Sequence, residues 1–506
     1  MESNFFKILS NYGAKILNIF SVFIFIPIYI KYLGIESFSV ISFYTLILGI
    51  ISFADSGISS AVIKEFSLVN TSNYKYTLFR NIEVLYILIC SVLVLLLILG
   101  SKFIAVQWLN TQTIPVSDLA YYIRLISFGV TLQLFSSLYF GALFGLGNQV
   151  LTNSFQIVWN LAKSGLVILL FIFYKNTLEV YLIWQIMINI IYLGLLRYIL
   201  IRKLRNTSST KLLRTEKKIP KHVLSYISGM SLIAIISAFN IQIDKIVVSS
   251  YFTLDMLGYY SISSILSQTP VMACTPLVFF VFPIFSKLSF HQNHNFMKVQ
   301  IVFKKVMYFL LILSIPILMT ILLYTKEILL LWIGQKAITN NLNDIVIVTK
   351  LLVIGSFFMV LQLPFFYFLL SKNKTKYMML QGIAQIIIEV PILFFCIKYF
   401  GIRGVGIPWV VINVFALIYL MYIVFTKYLP KDILSFSLKA FLKFFGLAIL
   451  VFCPLYYTYT CNNYFFIYNI LISSFLFMLG VYYSEMKHLQ GKNKRDIFRK
   501  IFEFPN

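Results

Sequence analysis

Almost the whole chain is a succession of apolar stretches about 20 residues long, parted by short polar connections. At about 1.5 Å per residue, such a stretch in helical form crosses the ~30 Å hydrocarbon layer of a bilayer. Backbone N–H and C=O groups in hydrocarbon must be bonded inside the segment, which leaves the helix as the natural state of each stretch. Hydrophobic residues make up 60% of the 506 positions, more than a water-soluble chain can bury. A soluble enzyme is excluded, and so is a single anchor carrying a large globular domain. The fold class expected is all-α: a polytopic membrane protein of about 14 transmembrane helices.

The segments fall at residues 8–30, 38–63, 81–100, 118–141, 151–173, 179–201 and 222–250, and then at 257–283, 302–324, 346–370, 376–399, 404–426, 437–457 and 464–484. An even number of crossings puts both termini on one side. The connections on that side, with the termini, carry 29 Lys and Arg, against 8 on the other. Basic residues are retained on the cytoplasmic face during insertion, so both termini and the linker 202–221 are expected in the cytoplasm. The net charge of +25 is therefore read as topology, and no nucleic-acid partner is expected.

The linker 202–221 divides six spans from eight, and the two parts resemble each other. Leu9-Ser10-Asn11-Tyr12-Gly13 opens the first span and Leu224-Ser225-Tyr226-Ile227-Ser228-Gly229 the seventh. Each of these spans leads to a turn with one acid, Glu36 or Asp255, 219 residues apart. An even number of spans between them makes the repeat parallel, about an axis along the membrane normal. The organisation expected is a six-helix bundle over 1–201, the basic linker 202–221, a second six-helix bundle over 222–430, two added helices over 431–484 and a basic tail over 485–506.

The run Ile26-Pro27-Ile28-Tyr29-Ile30-Lys31-Tyr32-Leu33-Gly34-Ile35-Glu36 is followed by Ala54-Asp55-Ser56-Gly57-Ile58 and by Asn240-Ile241-Gln242-Ile243-Asp244-Lys245. With Gly258-Tyr259-Tyr260, Pro283, Tyr399 to Gly406, Trp409 and Asn413, these residues resemble the Wzx-type flippases of the multidrug/oligosaccharidyl-lipid/polysaccharide exporter superfamily. The resemblance covers about residues 8–430. It implies two pseudo-symmetric six-helix bundles around a central cavity, with two further C-terminal helices. It also implies the cargo: undecaprenyl-pyrophosphate-linked oligosaccharide repeat units, for O antigen or a similar surface polysaccharide, moved from the inner to the outer leaflet of the bacterial inner membrane. Membrane lipids are the surroundings, and a polysaccharide polymerase and a chain-length regulator are candidate partners.

A charge at the bilayer centre costs about 2.5–3.5 kcal/mol, so charges within spans mark partners or wet cavities. Lys163 in the fifth span and Glu389 in the eleventh lie nearest the midplane. Lys163, Lys15, Arg124 and Lys245 are the candidate substrate-binding cations, suited to pyrophosphate and acidic sugars; the alternative is snorkelling or structural pairing. Glu389, Asp55 and Asp244 are candidates for coupling to H+ or Na+, or for polar contact between helices. Asp244 and Lys245 point about 100° apart, so one of them should reach another helix. Arg197 is expected to snorkel. Prolines at 270, 276 and 283 should bend the eighth span. His291 and His294 make too small a ligand set for zinc, and Cys453 and Cys461 are the two cysteines placed to pair.

No Gly-x-x-x-x-Gly-Lys-Ser/Thr occurs, and no cofactor is expected. The rival readings are a lipid II flippase, a drug/cation antiporter of the same superfamily and, from another class, a polysaccharide polymerase. The first span carries no acid, unlike many of the antiporters, and the largest connections on the less basic side are short for a polymerase. The chain is expected not to be an enzyme.

Overall fold

In a computed structural model of the chain, residues 4–68, 72–206, 219–290, 296–338, 341–458 and 465–488 are described. Every one of the apolar segments coincides with a helix or a pair of helices, and there is no strand among the described residues. Eleven helical stretches are long and apolar enough to cross a membrane, and one of them, Thr375–Lys427, contains two of the segments. The first two segments carry the shorter apolar helices Phe20–Leu33 and Ile35–Ile51. By contacts the chain divides into two units, Met1–Ser261 and Ile262–Asn506.

In the first unit, α1 (Asn4–Leu33) turns directly into α2 (Ile35–Leu68) through Gly34, whose φ of +82° an L side chain seldom adopts. Then come α3 (Ser72–Phe103), a π-helical turn (Ile104–Trp108), α4 (Val116–Gly145), α5 (Gln149–Ser164), α6 (Leu166–Phe173), α7 (Leu178–Asn206) and α8 (Lys221–Tyr251). The helix α9 (Leu254–Ser267) straddles the division between the units. Phe66, Phe79, Leu138, Tyr139, Leu196 and Leu200 pack together where α2, α3, α4 and α7 meet. The helix richest in apolar residues is not the one most buried: α3 hides 17% of its most apolar stretch and α4 61%. Leu96 and Leu99 of α3 stand exposed. Lipid, unlike water, exacts nothing for such exposure, and a soluble fold would reverse the order.

α8 lies along α2, and small residues set how closely. A methyl on Gly57 would overlap the Ser231 hydroxyl and crowd the Ile227 carbonyl, and one on Gly49 would overlap the Gln242 amide. This is the close backbone approach that small residues allow between helices in a membrane.

The second unit continues with α10 (Thr269–Phe290), α11 (Phe296–Ile333), a single turn α12 (Gln335–Ile338), α13 (Leu342–Ser371) and α14 (Thr375–Phe400). A 3₁₀ turn (Gly401–Val405), α15 (Gly406–Lys427), α16 (Asp432–Tyr457) and α17 (Phe465–His488) complete it. Its core is aromatic, with Phe303 5.0 Å from Phe365 and Phe285 5.8 Å from Phe368, ring to ring at steep angles. The proline-rich eighth segment breaks between α9 and α10, just before Pro270, whereas Pro276 and Pro283 sit inside α10. Only the first of the three prolines ends a helix. In α11, Tyr324 leaves helical geometry at φ −106°, ψ 24°, and its buried ring lies 5.2 Å from that of Tyr456.

Candidate functional site

The fifth segment contains no proline, yet its helix stops at Ser164 and restarts at Leu166. Breaking a helix frees carbonyls, which must find other donors in a medium without water. Three consecutive carbonyls do so: Trp184 Nε1 donates to Ala162 O (3.1 Å), Gln185 Nε2 to Lys163 O (3.2 Å) and Tyr29 OH to Ser164 O (2.7 Å). Donors from α7 and α1 thus hold the break, and with it the position of Lys163.

The Lys163 ammonium donates to Gln133 Oε1 of α4 at 2.7 Å, and Tyr44 OH of α2 donates to the same oxygen at 3.3 Å. The ammonium also lies 4.9 Å from the Trp159 ring centroid and 5.5 Å from that of Tyr44. Trp159 is fixed in turn by donating to Asn189 Oδ1 (3.2 Å), and Asn189 donates to Gly129 O (3.1 Å). Among the described residues no carboxylate pairs with Lys163. It is a half-buried cation solvated by an amide oxygen and two aromatic faces, with its positive charge uncancelled. A caged lysine of this kind can accept an anion without first breaking an ion pair.

The other candidates occupy separate places. Asp55 is 7% exposed; its Oδ2 accepts from Ser137 (2.5 Å) and Ser59 (3.1 Å), and its Oδ1 is buried without a hydrogen bond. Asp244 accepts from the Lys245 backbone N–H (2.7 Å) and from Tyr260 OH of α9, so of that adjacent pair it is the acid that reaches a second helix. The Lys245 side chain is half-buried. Arg124 is exposed and donates from Nε to Ser101 Oγ at 3.2 Å. Glu389, 1% exposed, shares a face of α14 with Gln381 and Gln385; these donate to Gln362 Oε1 (3.4 Å) and Ile412 O (3.5 Å). Lys15 lies in α1, with its side chain outside the described residues, as are His291, His294 and Cys461. No side-chain hydrogen bond or ion pair joins Asp55, Arg124 and Lys163 to one another.

Two features were missed in the sequence. Arg197 does not simply snorkel: its Nε pairs with Glu83 Oε1 at 2.9 Å, and Glu83, 3% exposed, also receives Tyr139 OH (2.7 Å) and Arg80. Glu83 lies three residues inside its span, where a carboxylate is costly without a partner, and that was its signal. Gln133, the direct partner of Lys163, carries no charge; its only sequence mark is an amide within an apolar run.

Long apolar helices, with large hydrophobic side chains such as Leu96 and Leu99 left exposed along them, define a multi-pass α-helical membrane protein. The family profile described as polysaccharide biosynthesis protein matches residues 5–289, and the chain belongs to that family. A Shigella flexneri protein provisionally named an O-antigen transporter is 22% identical over 387 residues, covering 74% of this chain and 87% of that protein. Among solved structures, the lipid II flippase MurJ in an inward closed conformation matches with a TM-score of 0.70 at 15% identity, covering 96% of this chain and 99% of that one. An inward-facing MATE-family multidrug resistance transporter of the MOP superfamily matches at 0.63 and 13% identity, covering 84% and 95%. The MATE multidrug transporter DinF-BH matches at 0.60 and 16% identity, covering 86% and 97%. The fold is that shared by these transporters.

Proposed function

We propose that the chain is a flippase carrying undecaprenyl-pyrophosphate-linked oligosaccharide repeat units, for O antigen or a similar surface polysaccharide, across the bacterial inner membrane by alternating access. In this reading both termini are cytoplasmic, and the chain catalyses no covalent chemistry. The observation that carries it is Lys163, a cation within a membrane span that has no carboxylate partner among the described residues. A pyrophosphate group is the anion the cargo would bring to it. The family membership and the O-antigen relative support the oligosaccharide part.

The sugar head cannot enter hydrocarbon unaided, because each buried hydroxyl without a partner costs several kcal/mol. A protein path removes that cost while the polyprenyl tail stays in lipid. With the cytoplasm negative, outward movement of about two negative charges is favoured by ~4.6 kcal/mol per 100 mV, at ~2.3 kcal/mol per charge. The potential alone supplies direction, and Asp55, Asp244 and Glu389 are candidates for any added coupling to H+ or Na+.

Lipid II transport is the second reading, favoured by a MurJ likeness that spans 96% of the chain. Deletion in the native host separates the two. Loss of surface glycan, with its lipid-linked repeat unit accumulating on the cytoplasmic leaflet, is the expected result. Lysis with accumulated lipid II and normal surface glycan would overturn the proposal in favour of the second reading.

A further inference from the structure

Both oxygens of Glu83 are taken, yet the group it builds is not neutral. Its Oε1 accepts from Arg197 Nε (2.9 Å) and Tyr139 OH (2.7 Å), and its Oε2 accepts from Arg80. One carboxylate, 3% exposed, thus faces two guanidiniums, and one positive charge is left over. A guanidinium has five N–H donors. Glu83, with the Tyr139 hydroxyl beside Arg197, uses only part of them, and the Arg80 and Arg197 side chains are 37% and 46% exposed. Pinned to the two oxygens of one carboxylate, the guanidiniums stand side by side, an arrangement that suits the several oxygens of a phosphate.

Depth and surroundings narrow the anion. Arg80 directly precedes the apolar segment 81–100, and Arg197 is four residues, about 6 Å, inside the end of 179–201. Both therefore lie at the edge of the hydrocarbon, on the side of the more basic connections. From Arg80 the same face of α3 continues through Val84, Ile87 and Leu88, each more than half exposed. From Arg197 the face of α7 continues through Gly194, Ile190 and Met187. Its two large side chains are more than half exposed, and a methyl on Gly194 would meet nothing within 4 Å. An uncancelled cation at headgroup level, with two open apolar tracks leading from it into hydrocarbon, matches a molecule with an anionic head and apolar tails. A free phosphate would leave the tracks unused, and a zwitterionic lipid would bring a cation of its own to the arginines.

We propose that Arg80, Glu83 and Arg197 form a binding site for one anionic glycerophospholipid, its phosphate on the two guanidiniums and its acyl chains along α3 and α7. Glu83 is the positioning residue, orienting both arginines. The site shares no hydrogen bond with the Lys163 cage and does not depend on what the chain transports.

The test is native mass spectrometry of the purified chain in neutral detergent, titrated with dioleoyl-phosphatidylglycerol or dioleoyl-phosphatidylcholine. The first phosphatidylglycerol is expected to bind at least about tenfold more tightly, as one further charge-assisted hydrogen bond provides. Arg80→Gln with Glu83→Gln and Arg197→Gln, which leaves no buried charge unpaired, should abolish that preference, whereas Arg403→Gln, paired with Asp344 elsewhere, should keep it. Hydrogen exchange of the unaltered chain localises the lipid without any variant: phosphatidylglycerol should slow exchange over residues 76–84 and 193–201. Equal affinity for the two lipids, a preference that survives the triple substitution, or protection confined to other segments overturns the site. Glycerol phosphate that displaces the lipid at equal concentration would make it a site for free phosphate, and undecaprenyl phosphate held more tightly through the same arginines would give it to the cargo lipid; either result overturns the proposal.

Discussion

Replacing Lys163 with Met should impair cargo binding and leave the fold almost untouched. A charge at mid-membrane costs about 2.5–3.5 kcal/mol. Its compensation here is one charge-assisted hydrogen bond to Gln133, worth about 1.5–3 kcal/mol, and two aromatic faces at about 0.5–1 kcal/mol each. The two sides nearly cancel, so Met, of similar length and without charge, should shift stability by no more than about 1–2 kcal/mol. Cargo that binds its pyrophosphate to Lys163 would lose a charged hydrogen bond of about 1.5–3 kcal/mol, which is roughly a 10- to 150-fold weaker Kd. The assay is equilibrium binding of a short-chain polyprenyl-pyrophosphate oligosaccharide to purified protein, paired with thermal unfolding of the same samples. Lys163→Arg, which keeps the charge, should retain more affinity than Met. A Met variant that folds normally and binds within threefold of the parent would refute the assignment of Lys163 to the cargo.

Other expectations follow from the packing. Glu83→Ala should destabilise by about 1–3 kcal/mol in thermal unfolding, less than the ~3–5 kcal/mol of a fully buried pair, because the Arg197 and Arg80 side chains are 46% and 37% exposed. A cycle with Arg197→Ala should show coupling between the two, and additive losses would deny the pair. Gly57→Leu must push α2 from α8, since the obstacles include the Ile227 backbone carbonyl; a loss of about 1–3 kcal/mol or more is expected, whereas Gly13→Ala, with nothing near its Cβ, should be close to silent. Asp255, whose carboxyl titrates higher in the fold than in the unfolded chain, holds its proton more tightly when folded. Its contribution to stability is therefore greatest on the acid side and falls as pH rises through the window between the two values. Asp255→Asn should remove that slope from the pH dependence of unfolding, and an unchanged slope would count against it.

The helices were legible in the sequence because lipid thickness imposes one length on every span and the backbone has one way to satisfy itself within it. The break before Pro270 was legible for the same kind of local reason, a missing N–H. The break at Gly165 was not: no proline marks it, and what holds it open, Trp184, Gln185 and Tyr29, comes from other helices. Lys163 stood out as a charge where charges are expensive, but its cage of Gln133, Tyr44 and Trp159 depends on how α2, α4 and α5 are rotated against one another. Hydropathy carries no information about that rotation. Arg197 was misjudged because its distance from the span end permitted snorkelling, and distance alone does not reveal a Glu83 waiting on α3.

The most direct test of the account is reconstitution of the purified chain into liposomes with undecaprenyl-pyrophosphate-linked repeat unit from its own host, followed by the appearance of the sugar head on the opposite leaflet. The account expects transfer that rises with protein density, speeds up under a potential negative on the side of departure, and drops steeply with Lys163→Met. Transfer indistinguishable from protein-free liposomes, in a preparation that moves lipid II, would contradict it.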